Sequence, residues 1–530
     1  MALADARTLD DLVALRAAAQ PGAEAAIDGD TRLTNAGVRE RVDAIARALI
    51  AAGVRPGDRV ATLAPPSLDF WLTFLAAAGI GAVWQGLNPK YQRNEYAYLL
   101  ADAAPRVVFV RSPFDGRDYL GELQALATHG PRFVRLDDVP LHAADAFVAT
   151  GASVDDATLA GRRAAVRPED PAVVVYTSGT TGQPKGALLS HRALVQTALA
   201  HVEWIGDGLD CVIDPAPINH VGGLNNVCMV VFAAGGRIVF VPRVDFALLG
   251  AATAREKPTY LVGSPTAFAM MLAIPGFSFE AYRGLYRVVV FGGASTPLAH
   301  LEQLSRSGAR LSSVYGQTET TGMVTYTAFD APLPVVSETI GRPIRGMEIR
   351  VATPEGAALE PGQTGEIQVR GMSVMNGYLN RPEATREAFT ADGWLKTGDL
   401  GVVRPDGEIA FAGRLKEMFK SGGYNCYPVE IELAICEHPD VAQAAVVAVP
   451  HALFQEVGHA FVQARPGRAI DPAALDAFLR ERIAHYKIPK TWSVLEAFAT
   501  LPNGKVDKRA MRAALTLPPP AAPVPEGATR

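Results

Sequence analysis

Residues 176–186 read Tyr176-Thr177-Ser178-Gly179-Thr180-Thr181-Gly182-Gln183-Pro184-Lys185-Gly186, with three glycines, four aliphatic hydroxyls and one lysine in eleven residues. The apolar run Ala172-Val173-Val174-Val175 before it reads as a buried strand. Ser190 offers a helix N-cap ahead of the periodic segment His191 to Leu199. Glycines let backbone N–H groups approach a ligand, hydroxyls add donors, and the lysine adds positive charge, which together make a cradle for phosphate. A Walker A loop needs Gly immediately before Lys and Ser or Thr immediately after. Here Pro184 and Gly186 flank Lys185, so the cradle is of another kind.

Working outward, a chain of 530 residues exceeds what one core supports, so two or more domains are expected. The net charge of −5 gives no basic footprint for nucleic acid. No run approaches 18 uninterrupted apolar residues, and the first ten residues are acidic, so neither a transmembrane span nor a secretory signal is expected. Cys211, Cys228, Cys426 and Cys436 show no C-x-x-C pairing and read as buried reduced thiols of a cytoplasmic protein. No zinc-protease or esterase motif is present.

From about Arg32 to Thr500, short apolar strands alternate with amphipathic helical patterns, the signature of α/β layers. One unit runs from strand Arg287–Phe291 through Gly292-Gly293, a helix Leu298–Ser305, and a strand Ala309–Tyr315. Residues 341–412 read as a β-rich subdomain. After Lys416 the pattern predicts a compact α+β unit. Its helices are Pro428–Cys436 and Pro472–His485, and its strands are Ala444–Val449, Ala460–Ala464 and Trp492–Leu495. The Pro/Ala-rich tail is expected to be disordered.

The phosphate loop resembles the signature of the AMP-forming adenylating superfamily, which includes acyl-CoA synthetases, luciferases and peptide-synthetase adenylation domains. Further matches follow in order: Gly292-Gly293-Ala294-Ser295, Tyr315-Gly316-Gln317-Thr318-Glu319, Lys396-Thr397-Gly398-Asp399, Gly413-Arg414, and Asn503-Gly504-Lys505. The resemblance implies a large N-terminal domain over 1–415, with mixed sheets and the β-rich subdomain, holding ATP and the acid. It implies a small mobile domain over 416–515 that carries the catalytic lysine, with 516–530 as tail.

In this resemblance Thr177, Ser178, Gly179, Thr180, Thr181, Gly182 and Lys185 close over the β- and γ-phosphates of ATP. Tyr315 stacks on adenine beside Gly316 and Gln317, Thr318 bonds the α-phosphate, and Glu319 holds Mg²⁺. Gly292, Gly293, Ala294 and Ser295 let a base or acyl chain lie against the backbone; the family often has Pro at Ser295. Asp399 takes both ribose hydroxyls and Arg414 reaches ribose or phosphate. Lys505 bridges the attacking carboxylate and the α-phosphate. Pro217-Ile218-Asn219-His220 matches the family's P-x-[FY]-H with Asn219 in the aromatic place, and His220 lies beside the acyl carboxylate. Lys416 fits the hinge, and Lys420 to Glu430 resembles the acyl-CoA ligase version, in which Gly422 and Gly423 help admit coenzyme A.

The implied activity is a carboxylate–CoA ligase. ATP converts the acid to acyl-AMP and pyrophosphate, and CoA then takes the acyl group. A luciferase-like oxygenase and a carrier-protein ligase share these motifs, and a non-catalytic binder would not need Lys505. The apolar residues Val221, Leu224, Phe268, Met271 and Met323 are candidate pocket residues, favouring an apolar fatty or aryl acid over a dicarboxylate. Assembly as a homodimer is left open.

Overall fold

The computed structural model describes residues 5–127, 130–137, 141, 145–177, 184–272, 274, 276–294, 296–421, 424–451, 453–501 and 505–515. The chain falls into two compact units. The larger comprises Met1–Pro265, Ser278–Thr397 and Gly401–Phe411; the smaller comprises Thr266–Phe277, Gly398–Leu400 and Ala412–Arg530.

In the larger unit, a seven-stranded sheet is built around β1 (Arg59–Leu63). Ser67 caps α1 (Leu68–Gly79), all twelve residues of which are buried. A helix buried on every side belongs inside a protein, and its two polar side chains are paired there, Asp69 with Arg111 and Thr73 with Thr62. β2 (Val83–Leu87) lies parallel to β1 on one side and strand Val107–Arg111 on the other. Beyond β2 comes β3 (Pro171–Thr177), also parallel, whose Val173-Val174-Val175 run is buried. The expected strand is therefore present and two residues longer at its C-terminal end.

A second strand intervenes where loop was expected to run straight into helix. β4 (Lys185–Ser190) turns back antiparallel on β3, pairing Thr177 with Lys185 and Tyr176 with Gly186. The phosphate segment thus joins the two arms of a hairpin. Ser190 then caps α2 (His191–Ile205), its Oγ accepting from the Ala193 N–H at 3.1 Å.

The other large sheet has nine strands. β5 (Cys211–Asp214), β6 (Tyr260–Gly263), β7 (Val288–Gly292) and β8 (Arg310–Gln317) run parallel, and β9 (Gly322–Tyr326) folds back antiparallel on β8. On the far side of β5 lie the parallel strands Arg237–Phe240 and Glu24–Asp28. The chain leaves β5 to one flank and returns on the other, so β5 marks a topological switch point, where loops diverge and ligands bind at strand carboxyl ends. The β7–helix–β8 unit matches expectation, its helix spanning Leu298–Ser305. The β-rich region is a four-stranded sheet of Met347–Ala352, Thr364–Gly371, Leu395–Val403 and Ile409–Arg414.

The smaller unit contains α3 (Pro428–Cys436), an antiparallel pair β10 (Val441–His451) and β11 (Gln455–Ala464), α4 (Pro472–Arg480) and α5 (Lys508–Ala514). Strand Thr491–Val494 lies parallel to β11. α4 stops five residues before the expected His485, because its apolar stripe ends at Leu479 and the chain turns there. Its own core includes Phe419, Ile431, Ile435, Val446, Val462 and Leu475.

Candidate active site

The phosphate hairpin stands on a pinned stem. Tyr98 Oη donates to the Pro184 carbonyl at 2.7 Å, and Tyr176 Oη donates to Asp102 Oδ2 at 2.7 Å. Arg381 pairs with Asp102 and donates to Tyr98 Oη, at 3.4 and 3.2 Å. Burial, then the bond to Asp102, pushes the Tyr176 hydroxyl above its ordinary value, so it remains a donor. Thr177 and Lys185 close the hairpin as cross-strand partners. Ser178, Gly179, Thr180, Thr181 and Gly182 lie outside the described residues.

Lys185 points its ammonium at the Tyr378 ring, 5.0 Å from the centroid. Tyr378 Oη donates to Glu319 Oε1 at 2.8 Å. The lysine of the first motif and the glutamate of the second, 134 positions apart in sequence, therefore meet on one tyrosine. Sequence reading passed over Tyr378. It lies on the two-residue strand Gly377–Tyr378, which adds to the free edge of β4 opposite Leu188 and Ala187.

Glu319 owes its place to a tight reversal. β8 ends at Gln317, a single 3₁₀ turn spans Thr318–Thr320, and Thr321 takes a left-handed φ of 58° before β9 begins. Gly316 is obligatory, because a Cβ there would lie 1.9 Å from the Gly322 carbonyl oxygen. Asn225 Nδ2 donates to the Thr321 carbonyl at 2.9 Å, and Asn226 Oδ1 accepts from the Met323 N–H at 3.2 Å. Thr318 and Tyr315 are both largely buried, and the Tyr315 ring lies 6.3 Å from that of Phe411.

These asparagines come from residues Gly222–Met229, a π-helical stretch. Such stretches are rare and concentrate at functional sites. It follows the loop leaving β5, which holds His220. His220 Nδ1 accepts from the Gly222 N–H at 3.0 Å, so the neutral ring carries its proton on Nε2. Asn219, in the family's aromatic place, bonds Asn88 at 3.4 Å and Tyr91 Oη at 3.3 Å. Gly86 makes room for it, since a Cβ there would lie 2.5 Å from Asn219 Cβ. At the end of β5, buried Asp214 accepts from the Ala216 N–H at 2.9 Å and from the Cys228 thiol at 3.2 Å. Burial pushes its carboxyl up to about 7.

Gly292 closes β7, and Gly293, at φ 87°, and Ala294 follow it in the exposed turn; Ser295 lies outside the described residues. Val221, Leu224 and Met323 are packed into the core of the larger unit, so they do not form an open apolar wall. Phe268 is buried and Met271 partly buried.

Within the smaller unit, Arg414 Nε lies 3.4 Å from Asp399 Oδ1, and the Leu415 N–H bonds the Gly398 carbonyl at 2.9 Å. Lys416 sits in the turn that follows. Lys505 is exposed; its carbonyl accepts from the Leu501 N–H at 2.7 Å, and the Ala499 carbonyl accepts from the Asp507 N–H at 2.8 Å. Lys508, three residues on, pairs with Glu417 at 2.9 Å and Glu432 at 2.7 Å. Gly422 and Gly423 lie outside the described residues.

Residues 13–379 match the model of the AMP-binding enzyme family, and residues 430–505 match its C-terminal domain. The chain belongs to the AMP-binding enzymes. It is 36% identical, over 93% of its length and 96% of the relative's, to a 3-(7a-methyl-1,5-dioxo-octahydro-1H-inden-4-yl)propanoyl:CoA ligase of Mycobacterium tuberculosis. It is 34% identical to an indoleacetate–CoA ligase of Aromatoleum aromaticum, over 95% of this chain and 97% of that one. ATP-bound MatB from Rhodopseudomonas palustris superposes with a TM-score of 0.84 at 30% identity, covering 96% and 98% of the two chains. This AMP-binding enzyme is thus an AMP-forming acid–CoA ligase, as the sequence resemblance implied, with ATP and CoA as co-substrates. Among its described residues no helix is long and apolar enough to cross a membrane.

Proposed function

We propose that this ligase activates a carboxylic acid bearing an apolar ring, and that the motif residues divide the work as follows. The observation that carries the assignment of the phosphate site is the meeting of Lys185 and Glu319 on Tyr378. The carboxylate of the acid attacks the α-phosphorus of ATP and pyrophosphate leaves, giving acyl-AMP. CoA thiolate then displaces AMP. Lys185 takes the outer phosphates, Thr318 the α-phosphate, Tyr315 adenine, and Asp399 with Arg414 the ribose. Lys505 neutralises charge as the two anions converge, which lowers the barrier. His220, with its proton on Nε2, offers a donor to the acyl carboxylate.

The donor set suits magnesium. That ion favours one or two carboxylates together with substrate phosphates and water over an all-protein cage. Glu319 supplies one such oxygen and shares Tyr378 with Lys185. Bound there, the ion would supply charge neutralisation at the phosphates.

We also propose that residues 1–415 bind ATP and acid, while 416–515 turn about Lys416 to present Lys505 first and a CoA face near Gly422 and Gly423 second. Support for a ring-bearing acid comes from relatives named for a methyl-dioxo-octahydroindenyl propanoyl group, indoleacetate and a feruloyl group. Free thiols at all four cysteines suit a reducing cytoplasm. The test is pyrophosphate release over a panel of ring-bearing, straight-chain and dicarboxylic acids, with and without CoA. Turnover is expected on the first class and to depend on CoA for thioester. Preference for straight chains would overturn the acid class. Lys505→Ala should abolish pyrophosphate release while still forming thioester from supplied acyl-AMP; equal loss of both steps would overturn the two-orientation scheme.

A further inference from the structure

Tyr378 has a place in the site that neither motif accounts for. Its backbone is stitched on three sides. The Leu379 N–H bonds the Gly186 carbonyl at 2.8 Å, the Asn376 N–H bonds Leu188 at 2.8 Å, and the Tyr378 N–H bonds Thr385 Oγ1 at 2.9 Å. The Met375 N–H bonds the Glu319 carbonyl at 2.9 Å, so the same segment also grips the turn that carries the glutamate. Its side chain then faces both charges at once. The ring offers its negative face to the Lys185 ammonium, and the hydroxyl donates to the Glu319 carboxylate.

The chemistry of these two contacts differs from that of an ion pair. A ring face holds an ammonium through its quadrupole and leaves the positive charge intact. A neutral phenol orients a carboxylate without cancelling its negative charge.

Resting on the assignment of Glu319 to magnesium and Lys185 to phosphate, we propose that Tyr378 is a positioning residue that pre-orders both charges for magnesium–ATP. Pre-ordering lowers the cost of binding because neither long side chain need be fixed when the nucleotide arrives.

The test is calorimetric titration of the full-length enzyme with α,β-methylene-ATP across a series of Mg²⁺ concentrations. Tyr378→Phe keeps the ring and removes only the hydroxyl. It should raise the Mg²⁺ concentration for half-maximal effect about tenfold, the worth of one hydrogen bond to a charged group, and leave Mg²⁺-free affinity unchanged. Tyr378→Leu should also weaken Mg²⁺-free binding, because Lys185 loses its support. Unchanged Mg²⁺ dependence in Tyr378→Phe overturns the proposal, as does equal loss of Mg²⁺-free affinity in both variants. Glu319→Gln separates the two readings. If it leaves the Mg²⁺ dependence unchanged, the metal assignment fails; if it shifts that dependence and Tyr378→Phe does not, the positioning role alone fails.

Discussion

Gly316 and Asp214 show what single residues do around the site, one by shape and one by a held proton. A methyl group at Gly316 would overlap the Gly322 carbonyl, so Gly316→Ala must spread β8 from β9 and displace the Thr318–Glu319 turn. We expect a stability loss of about 2–4 kcal/mol, as for other backbone-incompatible replacements, with weakened nucleotide binding, both read by thermal melts with and without ATP. Asp214 acts through protons. Between the ordinary carboxylate value and about 7, the folded chain keeps a proton there that the unfolded chain has released. Its contribution to stability is therefore complete at the acid end and is lost as pH rises towards 7. Asp214→Asn should shrink the difference between urea midpoints at pH 5 and pH 8; an unchanged difference would refute the assignment. The motif residues were legible because glycines, hydroxyls and charges cluster within a few positions. Tyr378 was not, because its meaning depends on a strand pairing with Ala187, 191 residues away in sequence. The Asn219 departure was visible, but its partners Asn88 and Tyr91 lie on a distant segment.

Among the elements, α5 begins three residues after Lys505 and so bears on where that lysine stands. Lys508 ties that helix to Glu417, beside the expected hinge, and to Glu432 on α3. Burial alone would pull the Lys508 ammonium down, but Glu432 and Glu417 together hold it above its ordinary value. Lys508→Met leaves two carboxylates facing each other and should cost the smaller unit about 2 kcal/mol. It should also slow acyl-AMP formation, measured by rapid quench; a wild-type rate would show that the clamp does not position Lys505. Element boundaries were readable where local chemistry marks them. Pro428 begins α3 and Ser190 caps α2 as expected. β4 was missed because Lys-Gly-Ala-Leu-Leu-Ser has neither a strict alternation nor a β-branched residue, and is a strand only through its two neighbours.

Across the whole molecule the two units hold separate apolar cores. Ile435→Ala empties a fully buried site in the smaller one and should cost that unit about 2–5 kcal/mol. Calorimetry should then show its transition falling while that of the larger unit stays in place; a joint fall would mean the two melt as one. That division and the α/β class were legible in the periodicity of the chain. The order of strands was not, because lateral neighbours such as Glu24–Asp28 and Arg237–Phe240 lie more than two hundred residues apart. The π-helical stretch after His220 has a consequence of a different sort. It spends more residues per turn than an α-helix, so the chain there holds slack. Deleting one residue between Gly222 and Met229 can be absorbed by winding to α geometry, because the tighter turns make up the rotation of the missing residue and the two flanks keep their facing. A change of one residue in length is thus tolerable here, where in an α-helix it would turn one flank by about 100° against the other.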